Sequence, residues 1–89
     1  MAKLLTPVFT KKFKKQFKKL PLSLQKRFDI KLSLLLTNPR HPSLRARKMG
    51  GAEIFEARLT NHYRFTYQLI EDVAWFLTIG PHDEGLGKK

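Results

Sequence analysis

The clearest order in the chain lies between residues 53 and 84, where apolar and polar side chains alternate with a period of two in three successive runs. In the first run Phe55, Ala57 and Leu59 point one way, and Glu56 and Arg58 point the other. In the second, Tyr63, Phe65, Tyr67 and Leu69 share a face opposite Arg64, Thr66 and Gln68. In the third, Val73, Trp75, Leu77 and Ile79 make the apolar side, which leaves Phe76 as an aromatic on the polar side. Alternation of this kind is the mark of strands with one face buried and one face in water.

Keeping the three apolar sets together restricts the register, because a slip of one residue would carry Arg64 into the core. With Thr60, Asn61 and His62 as a three-residue hairpin connection, Leu59 faces Tyr63 and Arg58 faces Arg64. A second turn over Ile70 to Asp72 pairs Leu69 with Val73, Arg64 with Thr78 and His62 with Gly80. His82 then leaves the sheet beside His62 and Arg64.

Upstream the period lengthens to that of helices. Thr10 stands where an N-cap belongs, and Phe13, Phe17 and Leu20 follow at spacings of four and three, a narrow apolar stripe. Pro21 stops that helix and suits the first turn of the next, from about Leu22 to Thr37, which Asn38 and Pro39 end. Leu24, Phe28, Leu32 and Leu35, with Ile30, Leu34 and Leu36 beside them, give the second helix a wide apolar face. Lys3 to Phe9 reads as a short edge strand in which Pro7 is tolerable. Arg40 to Gly51 reads as a basic linker closed by a glycine pair. The expected architecture is α+β in two layers, a helical hairpin laid across one face of a small antiparallel-rich sheet. Eighty-nine residues make one domain, 1–89, with no room for a second core.

Charge changes this picture more than composition does. The formal net charge is +11, and residues 1–51 hold fourteen of the eighteen Lys and Arg against a lone Asp29. Residues 52–89 hold four basic and six acidic groups. Such an imbalance favours polyanions through counterion release, with RNA, DNA, a ribosome or a strongly acidic protein as candidates. Lys11, Lys12, Lys14, Lys15, Lys18 and Lys19 surround the first helix with no acid at a helical salt-bridge spacing, which points to an anionic partner outside the chain. The absence of cysteine excludes disulfides and thiolate metal sites and is compatible with a reducing compartment. Neither end has a secretory pattern, and no apolar run is long enough to span a bilayer, so a soluble cytoplasmic protein is expected.

The candidate chemistry follows from the register. Two arginines facing each other across a ladder are unfavourable unless an anion lies between them. Arg58, Arg64, His62 and His82 converge at one end of the polar face, a constellation suited to phosphate, and Arg45, Arg47 and Lys48 of the linker form a second wall. Glu56 could neutralise one of the arginines. His41, His62 and His82 are too scattered to argue for a metal, and no Walker, dinucleotide-binding, zinc or serine-hydrolase motif is present.

Four segments together resemble a known family: KKLP at the end of the first helix, LLTNPRHPSLRARKMGG after the second, FEARLTNHYRFTY, and LTIGPHDE. Over nearly the whole chain the sequence is similar to the RelE/ParE superfamily of toxins from type II toxin-antitoxin systems, most closely the RelE-like mRNA interferases. The resemblance implies a small sheet with two N-terminal helices on one face. It implies a ribosome-dependent endoribonuclease that cleaves mRNA without a metal or other cofactor, does not involve a membrane, and is neutralised by an acidic antitoxin. By position, Arg58 matches a basic residue that ends the first of the three strands, Arg64 the arginine of a "YR" strand, and His82 a His or Arg after the last strand. The chain departs from the family at its C-terminus, where Leu86 stands and no Tyr is near. Catalytic candidates are therefore Arg58, Arg64, His82 and Glu84, with Glu56 a second possible base. RNA-binding candidates are Lys11, Lys12, Lys15, Lys18, Arg45, Arg47, Lys48 and His62. The alternative within the superfamily is a ParE-like toxin that inhibits DNA gyrase by binding, without catalysis.

Overall fold

The structure, a computed structural model, describes residues 4–49 and 53–81. Its elements in chain order are β1 (Thr6–Phe9), α1 (Lys11–Lys18), α2 (Leu22–Thr37), a 3-10 turn (Pro42–Leu44), β2 (Arg47–Lys48), β3 (Ile54–Arg58), β4 (Tyr63–Ile70) and β5 (Val73–Pro81). The strands form one sheet in the order β1-β5-β4-β3-β2, parallel only between β1 and β5. The α+β arrangement, two helices on one face of an antiparallel-rich sheet, agrees with the sequence pattern.

β1 is an edge strand, so Pro7 has no ladder bond to forfeit on its outer side. It stops at Phe9, and α1 takes over as the neighbour of β5. The Thr10 N–H donates to the Phe76 carbonyl (3.2 Å), and Thr10 Oγ1 donates to the same oxygen (2.8 Å) while accepting from the Phe13 N–H (3.3 Å). One hydroxyl thus caps the helix and ties its start to the sheet. One helical stretch later Gln16 Oε1 accepts the Ile79 N–H at 2.9 Å, satisfying an edge donor that a longer β1 would have met. Gln25 Nε2 donates to the Phe17 and Leu20 carbonyls (3.1 and 3.2 Å), which ties the end of α1 to α2 across the helical hairpin.

The core is aromatic. Phe28 lies edge-on to Phe65 (centroids 5.1 Å apart, 88° between planes), Phe13 meets Phe28 at 5.3 Å, and Phe9 stacks on Phe76 at 5.2 Å. Such pairs contribute roughly 0.5–1.5 kcal/mol each beyond the area they bury. Leu20, Leu35, Leu44, Ala57, Leu59, Tyr67, Ala74 and Ile79 complete the buried set.

Three expectations are corrected. The first concerns β5. Thr66 pairs with Thr78 but Tyr67 pairs with Phe76, so Leu77 has no partner on β4 and forms a bulge. A strand's faces alternate, and the extra residue inverts the assignment on one side of it. Phe76 is fully buried (0% exposed) and Trp75 faces out (38%). Arg64 consequently sits opposite Gly80 and Leu69 opposite Ala74, around a tighter turn, with Ile70 paired to Val73 and Glu71 at φ 54°. Second, Ile30 is 65% exposed and lies outside the apolar face of α2, whose buried residues are Phe28 and Leu35. Third, the basic linker contains β2, where Arg47 pairs with Glu56 and Lys48 with Phe55. The β3–β4 pairing agrees with the sequence reading, with Arg58 opposite Arg64.

Candidate functional site

The face of the sheet away from the helices carries Glu56 and Arg58 from β3, Arg64, Thr66 and Gln68 from β4, and Thr78 from β5. Its rows follow from the register: Arg58, Arg64 and Gly80 in one, then Glu56, Thr66 and Thr78 in the next. Thr66 and Thr78 share a hydrogen bond of 2.6 Å between their hydroxyls, which ties the two strands where the bulge begins. Because α1 runs beside the end of β5, its Lys12, Gln16 and Lys19 side of the helix meets this face. Together they border an open cleft of about 700 Å³, with Arg64, Glu56, Thr66, Thr78 and Tyr63 on its sheet side.

Arg64 is held by the turn it follows. Its Nη1 donates to the carbonyls of Thr60 (2.8 Å), Tyr63 (3.3 Å) and Asn61 (3.4 Å), so the guanidinium is braced against the backbone before any ligand arrives. Thr60 Oγ1 in turn accepts the His62 and Tyr63 N–H groups, both at 3.2 Å, which stiffens that turn. Lys12, Lys19 and Arg64 are set against one carboxylate, Glu56, whose side chain is 13% exposed and meets Arg47 Nε at 3.4 Å. A braced guanidinium with lysines along an open cleft suits a polyanion backbone, because guanidinium keeps its charge and offers planar paired donors.

Arg58 completes the cationic end in a different way. It is half-buried, and among the described residues nothing accepts from its Nε, which is shielded from solvent. It also acts at a distance on α2: the Lys31 ammonium is held below its usual range by burial first, then by the Arg27 and Arg58 charges. Lys31 Nζ compensates by donating to the Ser43 carbonyl at 2.8 Å.

The structure gathers some of the sequence candidates and disperses others. Lys12 and Arg64 line the cleft, and Arg58 sits beside Arg64 in the ladder. Arg47 reaches the cleft through Glu56, while Lys48 pairs with Glu53 at 3.1 Å. Arg45 is exposed at φ 47°, and His62 is exposed in the β3–β4 turn. Lys11, Lys15 and Lys18 are exposed on α1 and do not line the cleft. His82 and Glu84 lie outside the described residues. Lys19, Tyr63, Thr66 and Thr78 were not singled out from sequence. For Lys19 a signal existed: Lys12, Gln16 and Lys19 share one side of α1 by helical spacing. Among the described residues no cluster of His, Asp and Glu could hold a metal ion, and no helix is long and apolar enough to cross a membrane.

The element order, sheet topology and helical hairpin are those of the RelE-like toxin fold. The chain is similar in structure to the archaeal RelE-RelB complex from Pyrococcus horikoshii OT3, with a TM-score of 0.79 and 22% identity over 98% of this chain and 100% of that one. It is likewise similar to the intact E. coli RelBE toxin-antitoxin complex (TM-score 0.74, 22% identity, 86% and 95% covered) and to YafQ from E. coli (0.73, 15%, 93% and 99%). No family model matches the sequence, and no curated protein matches it by sequence.

Proposed function

We propose that this chain is the toxin of a toxin-antitoxin module and that it cleaves mRNA on the ribosome as a metal-independent endoribonuclease. The observation that supports this most is the cleft itself: Arg64, Lys12 and Lys19 converge around Glu56 on the open face of a fold shared with RelE and YafQ.

Cleavage of RNA without a metal needs a base for the 2′-OH, an acid for the departing 5′-oxygen, and fixed cations for charge building on phosphorus. In this reading the 2′-oxygen attacks the adjacent phosphorus, the P–O5′ bond breaks, and the products carry a cyclic phosphate and a 5′-OH. Arg64, already braced by the turn carbonyls, holds the phosphate and stabilises its added charge, and Arg58 supports it from the next strand. Glu56 is the carboxylate placed inside the cleft, so it takes the 2′-OH proton. His82, which follows Pro81 at the end of β5, supplies the acid, with Glu84 as the further carboxyl near it in sequence. Lys12 and Lys19 hold neighbouring phosphates, and the outlying Lys11, Lys15, Lys18, Arg45, Arg47, Lys48 and His62 extend the cationic surface toward ribosomal RNA. A requirement for the 2′-OH makes the substrate RNA rather than DNA.

The partner that neutralises this surface is an acidic antitoxin, which the net charge of +11 and the toxin-antitoxin complexes among the structural relatives both support. The test is expression of the chain alone together with its addition to a translation extract. Growth arrest and mRNA cut at the ribosomal A site are expected. Undisturbed translation with loss of DNA supercoiling would replace this reading with inhibition of gyrase.

A further inference from the structure

The bulge at Leu77 places a tryptophan on the same open face as the cationic cleft. One row along from Thr66 and Thr78, the register aligns Ile54, Gln68, Trp75 and Val8 across four strands. Trp75 is 38% exposed, whereas Ile54, Gln68 and Val8 are half-buried and give the row a low, flat profile. Gln68 is the direct cross-strand neighbour of Trp75, so an amide lies beside the indole ring. Arg64 is four residues before Gln68 on β4, which puts the row about 13 Å along the backbone from Arg64 on the strand rise.

We infer that Trp75 is a stacking platform for a nucleobase of the same RNA strand whose backbone lies in the cleft, with Gln68 reading an edge of that base. This rests on the assignment of the cleft to an RNA backbone and adds to it the place where sequence preference arises. The chemistry fits a base better than a protein side. A nucleobase offers a flat π-face and polar edges, and the row offers one open aromatic ring with an amide at its side and no charge. A docked apolar helix needs a continuous hydrophobic surface, and Gln68 divides Trp75 from Ile54. Stacking on an exposed aromatic next to a cationic track is the general way proteins hold single-stranded nucleic acid, and open sheets with aromatics do so in RNA-binding domains.

Trp75 is the only tryptophan in the chain, so its intrinsic fluorescence reports directly on the ring. The full chain is titrated with a short single-stranded RNA whose 2′ positions are methylated to prevent cleavage. Binding is followed by anisotropy of a dye on the RNA and, in parallel, by Trp75 emission. Quenching that follows the anisotropy curve is expected. Trp75→Leu should weaken binding by about 5- to 150-fold, the range for loss of one stacked base, while Trp75→Phe keeps most of the affinity. If RNA binds in an Arg64-dependent manner, but Trp75 emission is unchanged and Trp75→Leu binds as tightly as the wild type, the stacking inference is overturned and the cleft assignment stands. No RNA binding, or binding indifferent to Arg64→Ala, overturns both. Emission that responds to an acidic antitoxin and not to RNA makes the row a protein interface and overturns the inference as well.

Discussion

The two faces of the central sheet are written in the same alternating pattern and put to opposite uses. On the closed face Phe65 and Phe76 pack against Phe28 and Phe13, and Tyr67 is buried beside them. On the open face Glu56, Arg64, Thr66, Thr78 and Trp75 stand in water or along the cleft. A side chain removed from a packed face leaves a cavity that the surroundings cannot fill, whereas one removed from an open face is replaced by solvent. Stability and candidate chemistry are therefore separable by substitution, residue by adjacent residue along one strand.

β5 provides the sharpest test of that separation. Phe76→Ala should lower stability by about 3–5 kcal/mol, the range for truncating a buried aromatic, as read by denaturant unfolding. Arg64→Ala comes next: it should cut RNA cleavage by roughly 100- to 1,000-fold, on the scale of losing one preorganised charge-stabilising donor. Its unfolding transition should stay cooperative because no cavity opens, and a wild-type cleavage rate in that variant would remove Arg64 from the site.

Thr10→Ala breaks the joint between α1 and the sheet, since the hydroxyl both caps α1 and bonds the Phe76 carbonyl. A stability loss of about 0.5–2 kcal/mol is expected from the cap, and hydrogen exchange at the start of α1 should rise with it. An unchanged melting curve would show that the cap is redundant with the backbone bond from the Thr10 N–H.

pH reads the closed face in another way. Burial raises the Tyr67 phenol from 10.0 to about 12. A group whose folded pKa is raised contributes stability that is fully present below its unfolded value and lost as pH climbs through the folded one. Tyr67 should then destabilise the fold between pH 10 and about 12, and Tyr67→Phe should flatten that part of the stability profile. A phenolate absorbance titration of a Tyr63→Phe variant in which Tyr67 ionises near pH 10, with the fold intact, would contradict this burial.

The smallest effect belongs to the open face. Trp75→Ala should change stability by only about 0.5 kcal/mol, as exposed substitutions do. A loss comparable to that of Phe76→Ala would mean that the two residues have exchanged faces and that β5 carries no bulge at Leu77.

Much of this molecule follows from the sequence by itself. Helical spacing in Phe13, Phe17 and Leu20, Pro21 as a breaker, and the alternation through Phe65 and Tyr67 specify which elements form and which of their sides is apolar. The hairpin between Leu59 and Tyr63 also follows, because a short loop leaves few registers that keep Arg64 out of the core. The excess of cations in residues 1–51 is likewise legible in the sequence alone.

What the tertiary structure decided is how those elements meet. Parity along a strand holds only until a residue is inserted, and nothing in VAWFLTIG marks Leu77 as the extra one. Trp75 and Phe76 are both aromatic, and only the long-range pairing of Phe76 with Tyr67 and Phe9 selects the one that is buried. Which of the six lysines from Lys11 to Lys19 line the cleft is settled only where Thr10 and Gln16 dock α1 on the edge of β5. β2, two basic residues long, carries no periodicity and exists because β3 offers it an open edge. In each case local pattern limits the choices to a few. Contacts between residues far apart in sequence make the selection, because burial and edge pairing are properties of the assembled surface and not of any one segment.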